Sequence, residues 1–157
     1  RADAGPAVAR PQLQADLGLS VIGVSWEAPV APQFALGVEV ALFGTYFLPV
    51  FNRGDNVVGI GAGLRPTWFA HDDERGLYVT PYARLVGVEG SRDGARGTGM
   101  AYALGAFVGW AFEATERLDV RVGGGVQYLL FHIDTERGPL SASTPFVALD
   151  LVIGLRR

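Results

Sequence analysis

The sequence predicts an all-β chain, an antiparallel up-and-down transmembrane β-barrel of eight strands, seven of them clearly patterned. Three observations lead there. Trp26, Trp68 and Trp110 recur at intervals of 42 residues, each closing an alternating apolar segment just before a short polar turn. Apolar residues alternate with small or polar ones through most of the chain, the period-2 signature of strands that meet two different environments. The charged residues inside those segments fall on one face. With 157 residues the chain forms a single domain, 1–157, in which 1–11 is an N-terminal tail or an irregular first strand. Apolar residues make up 49% of it, yet long charge-free stretches such as 97–112 are rich in Gly and Ala. A membrane helix needs about 20 predominantly apolar residues and a tilted membrane strand only about 9 to 11, so the apolar content suits strands.

Taken in order, Leu13, Ala15, Leu17 and Leu19 alternate with Gln14, Asp16, Gly18 and Ser20, and the phase slips near Val21 before resuming at Val24 and Trp26. A bulge would produce that slip, so 13–26 reads as one strand. Residues 27–32, with Pro29 and Pro32, form a turn. Phe34, Leu36, Val38, Val40 and Leu42 line the second strand, which can run on through Tyr46 and Leu48 to the break at 52–55. The third strand carries Val58 to Trp68 against Gly59, Gly61, Gly63, Arg65 and Thr67, and the charged turn 71–76 follows. Leu77 to Leu85 oppose Tyr78, Thr80, Tyr82 and Arg84 in the fourth, and 90–97 is a polar loop. The fifth sets Met100 to Phe112 against Ala101, Ala103, Gly105, Phe107 and Gly109, with 113–116 as its turn. The sixth sets Leu118 to Leu130 against Asp119, Arg121, Gly123, Gly125 and Gln127; after a loop at 132–143 the seventh sets Val147 to Leu155 against Ala148, Asp150, Val152 and Gly154.

Asp16, Glu39, Arg65, Arg84, Asp119, Arg121 and Asp150 all fall on the face opposite the apolar one. A lipid-facing Arg at the midplane of a membrane barrel costs roughly 2 to 4 kcal/mol, so a spanning barrel keeps that face free of charge. The same strands turned apolar side inward would show water a surface of Gly and Ala with far less than the roughly 25 to 35% charge of soluble surfaces. Trp26, Phe34, Trp68, Trp110 and Phe112 gather beside the three short turns as an aromatic girdle, which assigns those turns to the periplasm and the longer connections to the cell exterior. Membrane barrels have an even strand count and no open edge. The eighth strand therefore comes from 1–11, or from an unrecognised break in 13–26 or 33–49.

The runs Gly-Leu-Arg-Pro-Thr-Trp-Phe at 63–69 and Gly-Leu-Tyr-Val-Thr-Pro-Tyr at 76–82, with the Gly-rich final hairpins, resemble the small outer-membrane β-barrels of Gram-negative bacteria, of the OmpA, OmpX and OmpW type. The resemblance covers nearly the whole chain and is one of pattern. It implies an outer-membrane location with any signal peptide already removed, contact with outer-membrane lipids and lipopolysaccharide, and no catalytic residues. Members usually end on an aromatic residue, whereas this chain ends Ile-Gly-Leu-Arg-Arg.

A barrel of eight strands is about filled by its own side chains. The seven charges then form a lumen network whose members must pair. Approximate register suggests Glu39 with Arg65 and Asp150 with Arg121, with Tyr82 over Gly63 and Phe107 near Gly123. The expected role is structural, displaying surface loops or joining an envelope assembly, with a narrow channel or small apolar-ligand conduit as one alternative. A lipid hydrolase is the other, built from His132, Asp134, Glu136, Ser141 and Ser143 in the 132–143 loop, since a His with an acid and a Ser can support ester hydrolysis. The run Tyr46, Phe47, Leu48, Phe51 is a candidate contact for a protein partner or a second copy. No cofactor or metal is expected. All 13 basic residues are Arg, scattered without a stripe, so no nucleic-acid partner is expected either.

Overall fold

The computed structural model describes residues 11–44 and 56–156. They form eight antiparallel strands: β1 Gln12–Leu17, β2 Val21–Ala31, β3 Phe34–Gly44, β4 Asn56–Phe69, β5 Gly76–Arg92, β6 Ala95–Thr115, β7 Leu118–Thr135 and β8 Gly138–Arg156. Each pairs with its sequence neighbours, and β1 pairs with β8 over six residues, so the sheet closes on itself. The up-and-down architecture and the count of eight follow the alternation of the sequence.

The first strand of the sequence reading is corrected. Residues 13–26 are two strands, and the phase slip is a chain reversal through residues 18–20, held by the Gly18 N–H donating to the Val21 carbonyl at 2.8 Å. A bulge and a tight turn leave the same trace in the alternation; β1 is so short that its period alone could not separate them. The segment 1–10 lies outside the described residues, and the ring closes without it.

Two loops are corrected as well. Residues 90–97 and 132–143 are strand almost throughout, because β5 to β6 and β7 to β8 are joined by two-residue turns. Asp93 and Gly94 both have positive φ, 47° and 83°, which suits the mirror-image turn that an Asp-Gly pair favours between antiparallel strands. Polar composition suggested loops there, but polar residues fit a strand whose outward face meets water. The turn placed at 27–32 narrows to residues 32 and 33, with β2 running through Glu27 to Ala31, and β6 likewise extends to Thr115. The connection 45–55, with Tyr46, Phe47, Leu48 and Phe51, lies outside the described residues.

Strand lengths divide the ring. β1 to β4 span 6, 11, 11 and 14 residues and β5 to β8 span 17, 21, 18 and 19. The longer half projects past the end opposite the chain termini. Polarity inverts along it. Nearer the termini Leu104, Val108, Val122 and Leu151 point outward and Arg65, Arg121 and Asp150 inward. In the projecting part Glu89, Thr98, His132, Asp134 and Ser141 point outward, and Val88, Ile133 and Leu140 are buried inside.

Beyond the end of β1, residues 138–150 of β8 pair, among the described residues, only with β7. The Arg156 N–H donates to the Arg117 carbonyl on the β7 side. Since the register with β7 is unbroken, alternation turns the odd-numbered N–H positions of β8 to the other side. Pro139 and Pro145 are both odd, so the prolines sit where the edge would otherwise offer unpaired donors.

Candidate functional site: the layered lumen

Inward side chains stack in layers from the terminal end to the projecting end. Glu27 of β2 organises the first. It accepts from both terminal nitrogens of Arg121, at 2.5 and 2.9 Å, and from Gln12 and Gln14, each at 2.9 Å. Arg121 also lies over the Phe69 ring, 4.7 Å from its centroid. Glu27 is only 2% exposed, so these contacts are what make a charge tolerable there. The sequence reading missed it because Pro29 and Pro32 drew the turn boundary forward. The signal was present, since Glu27 continues the inward phase of Gly23 and Ser25.

The second layer holds three carboxyl groups and two guanidinium groups. Arg65 of β4 pairs with Asp16 of β1 and, at 2.8 Å, with Asp150 of β8. Arg84 of β5 donates to Glu39 of β3 at 2.6 and 3.0 Å and to Asp16 at 3.0 Å. Asp150 also accepts from the Tyr78 hydroxyl at 2.7 Å. Arg84 sits 4.4 Å from the Tyr82 ring centroid, Tyr82 stacks on Phe107 at 4.9 Å, and its hydroxyl donates to Gln127 at 2.6 Å. All eight strands thus contribute to the two layers.

The seven predicted charges all point inward, but the proposed pairing is corrected. Asp150 meets Arg65, and Arg121 meets Glu27 two strands beyond the hairpin. Arg65 reaches Glu39 only at 3.8 Å, and Arg84 is the closer partner. Hairpin register counts neighbours along the wall, whereas long arginines in a narrow ring reach across it. Asp119 stands at the terminal mouth, paired with Arg156. The aromatic placements shift one strand over: Tyr82 fills the space left by Gly105, and the Tyr78 hydroxyl lies where a Cβ on Gly109 or Gly123 would stand, at 2.7 and 2.5 Å.

The third layer is apolar, with Phe43, Val57, Val86, Leu129 and Phe131 buried above the charges. Among the described residues, one cavity touches the lumen layers against Gly18 to Val21 and Phe146 to Leu149, and another among Val21, Phe43, Val86 and Leu129. Each leaves about 10 Å³, room for about one water molecule. Neither connects the ends of the ring.

On the outer surface Trp26, Phe34, Trp110 and Phe112 are all exposed and Trp68 is half-buried, at one level near the terminal end. A second aromatic level, absent from the sequence reading, is formed by Tyr102 and Tyr128, 52% and 40% exposed, each followed by one more outward apolar residue, Met100 or Leu130, before the face turns polar at Thr98 and His132. Tyr102 and Phe112 are ten residues apart on β6. That is roughly 33 Å along a strand, or roughly 25 Å along the axis at a tilt of about 40°.

His132 lies on the outward face of β7 beyond Tyr128, its Nε2 3.1 Å from Asp134 Oδ1. Register puts Ser141 directly across from it, while the Ser143 hydroxyl is joined to Tyr128 at 2.7 Å. Glu136 is in the turn. Among the described residues no hydrogen bond links His132 to either serine, and the three groups stand on the exposed outward face of β7 and β8. No protein-family model, no curated protein and no solved structure matches this chain.

Proposed function

We propose that this chain is an integral outer-membrane β-barrel of the Gram-negative type, single-domain, with a sealed, side-chain-filled lumen, whose role is structural, displaying surface loops or joining an envelope assembly, and not catalytic. One observation carries the reading: the outward face is apolar over a band bounded by two aromatic levels, and it turns polar beyond the second. A water-soluble barrel has no use for Ile22, Val40, Leu42, Ile60, Val126 and Val147 pointing outward, each more than half exposed. The band height suits the apolar belt of a bacterial outer membrane, about 25 Å. The pattern resemblance to small outer-membrane barrels agrees with this, with lipid and lipopolysaccharide as neighbours and the projecting β5 to β8 sheet as the part offered to a protein partner or a second copy.

Adjacent residues of β3 test it. Val38 points outward, and Gly37 points inward, where a Cβ would come no closer than 3.4 Å to its nearest neighbour, the Arg65 carbonyl oxygen. Val38→Arg should abolish heat-resistant folding in lipid vesicles, at a cost of about 2 to 4 kcal/mol, while Gly37→Ser folds. A Val38→Arg protein that folds, or a wild-type chain that is monomeric in buffer without detergent, would refute the membrane reading.

The lipid-hydrolase reading retains one favourable observation, the placement of His132 opposite Ser141, with Asp134 one outward position further on, beyond the second aromatic level. Loss of an ester-linked acyl chain from lipopolysaccharide, dependent on both His132 and Ser141, would establish it.

A further inference from the structure

At the terminal end the turn between β4 and β5, residues 70–75, folds over the mouth of the ring. Glu74 within it is 7% exposed and has a φ of 59°, in the left-handed region that strains a non-glycine residue. The turn is pinned by the Ala70 N–H donating to the Leu77 carbonyl at 2.9 Å and the Glu74 N–H donating to the His71 carbonyl at 3.3 Å. Among the described residues, no hydrogen bond or ion pair reaches the Glu74 carboxyl group.

The charges around it are already committed to one another. Glu27 of β2 faces it and is held by Arg121 of β7. Asp119 of β7 and Arg156 of β8 pair together, and Arg156 also reaches Glu113 of β6 at 3.3 Å. Arg75, next in sequence, turns outward to Glu113. The inward positions at this end on β1, β3, β4 and β5 are Gln12, Ala35, Phe69 and Tyr78, none of which offers a cation. Burial, reinforced by Glu27 and Asp119, pushes the Glu74 carboxyl above its ordinary range against the opposing pull of Arg121 and Arg156.

We propose that the 70–75 turn is a pH-operated plug, seated with Glu74 neutral and withdrawn when Glu74 ionises. The seated state holds the proton more tightly than the withdrawn one. Seating is therefore at full strength below the ordinary carboxylate pKa and weakens as pH rises through the seated value. Withdrawal also releases the left-handed strain, and it opens the Glu27–Arg121 layer to water while the layers above stay shut. The device needs only the fold and is independent of membrane insertion.

The chain has no cysteine, so a single spin label can be placed at Asp72→Cys in the folded protein, with a control label at Arg117→Cys in another turn at the same end. The label at 72 should be immobile in acid and several-fold more mobile at neutral pH, while in the Glu74→Gln background it stays immobile throughout. The control label should not respond. Mobility at 72 that ignores pH in the wild-type background would overturn the proposal. So would a response that survives in Glu74→Gln, which would belong to another group, or an equal response at 117, which would be a change of the whole ring.

Discussion

Within the lumen the residues are unequal in what they support, and the inequality can be read from who shares whom. Arg65 is held by Asp16 and Asp150, and Arg84 by Asp16 and Glu39, so three carboxyl groups divide two guanidinium groups. Removing one acid leaves the two cations matched, whereas removing one cation strands buried acids around a gap. Asp16→Asn should change stability by about 1 kcal/mol or less, and Arg65→Leu should lower it by about 3 to 5 kcal/mol. Urea unfolding in lipid vesicles, followed by tryptophan fluorescence, would compare them. Equal losses would mean that the network is held by packing and not by charge. The inwardness of these residues was legible from alternation alone, since a period of two assigns a face without knowing the neighbour. Their partners were not, because pairing depends on the diameter of the closed ring. Glu27 was lost through a turn boundary drawn too early.

Strands are where sequence reading succeeded and failed most clearly. Long alternations such as that of β6 gave face and direction together, and the Asp93-Gly94 turn was written in the sequence as an Asp-Gly pair passed over because its surroundings are polar. The break inside 13–26 was visible only as a slipped phase. One weakness of the wall emerges at this scale. Pro66 of β4 lies opposite Pro81 of β5, where their pairing lapses between Leu64↔Ala83 and Trp68↔Val79. The Phe69 N–H points to β3 and the Leu77 carbonyl to β4, so alternation directs positions 66 and 81 at each other. Both N–H groups of that rung are missing, and each proline carbonyl faces an absent donor. The double change Pro66→Val with Pro81→Val should restore two hydrogen bonds and raise unfolding stability by about 1 kcal/mol or more. Amide exchange at Thr67 and Thr80 should slow. A destabilised double variant would show that proline rigidity matters more at this rung than the bonds it removes.

For the molecule as a whole, the three layers set what can pass. A salt-bridged middle, an apolar layer above it and, among the described residues, lumen cavities of about 10 Å³ predict no stable conductance steps in a planar bilayer. Glu39→Gln should leave that silence unchanged, and steps that respond to it would reveal an open path. The exchange of polar and apolar faces partway along β5 to β8 has a further consequence, for depth. Sinking the ring would carry His132 and then Glu89 and Asp134 toward hydrocarbon; lifting it would bring Trp110 and Phe112 out of their interfacial level. Each strand of the long half carries such a change from apolar to polar outward side chains. In the proposed membrane setting the protein would thereby be ballasted, its depth and upright attitude set by side chains around half its circumference.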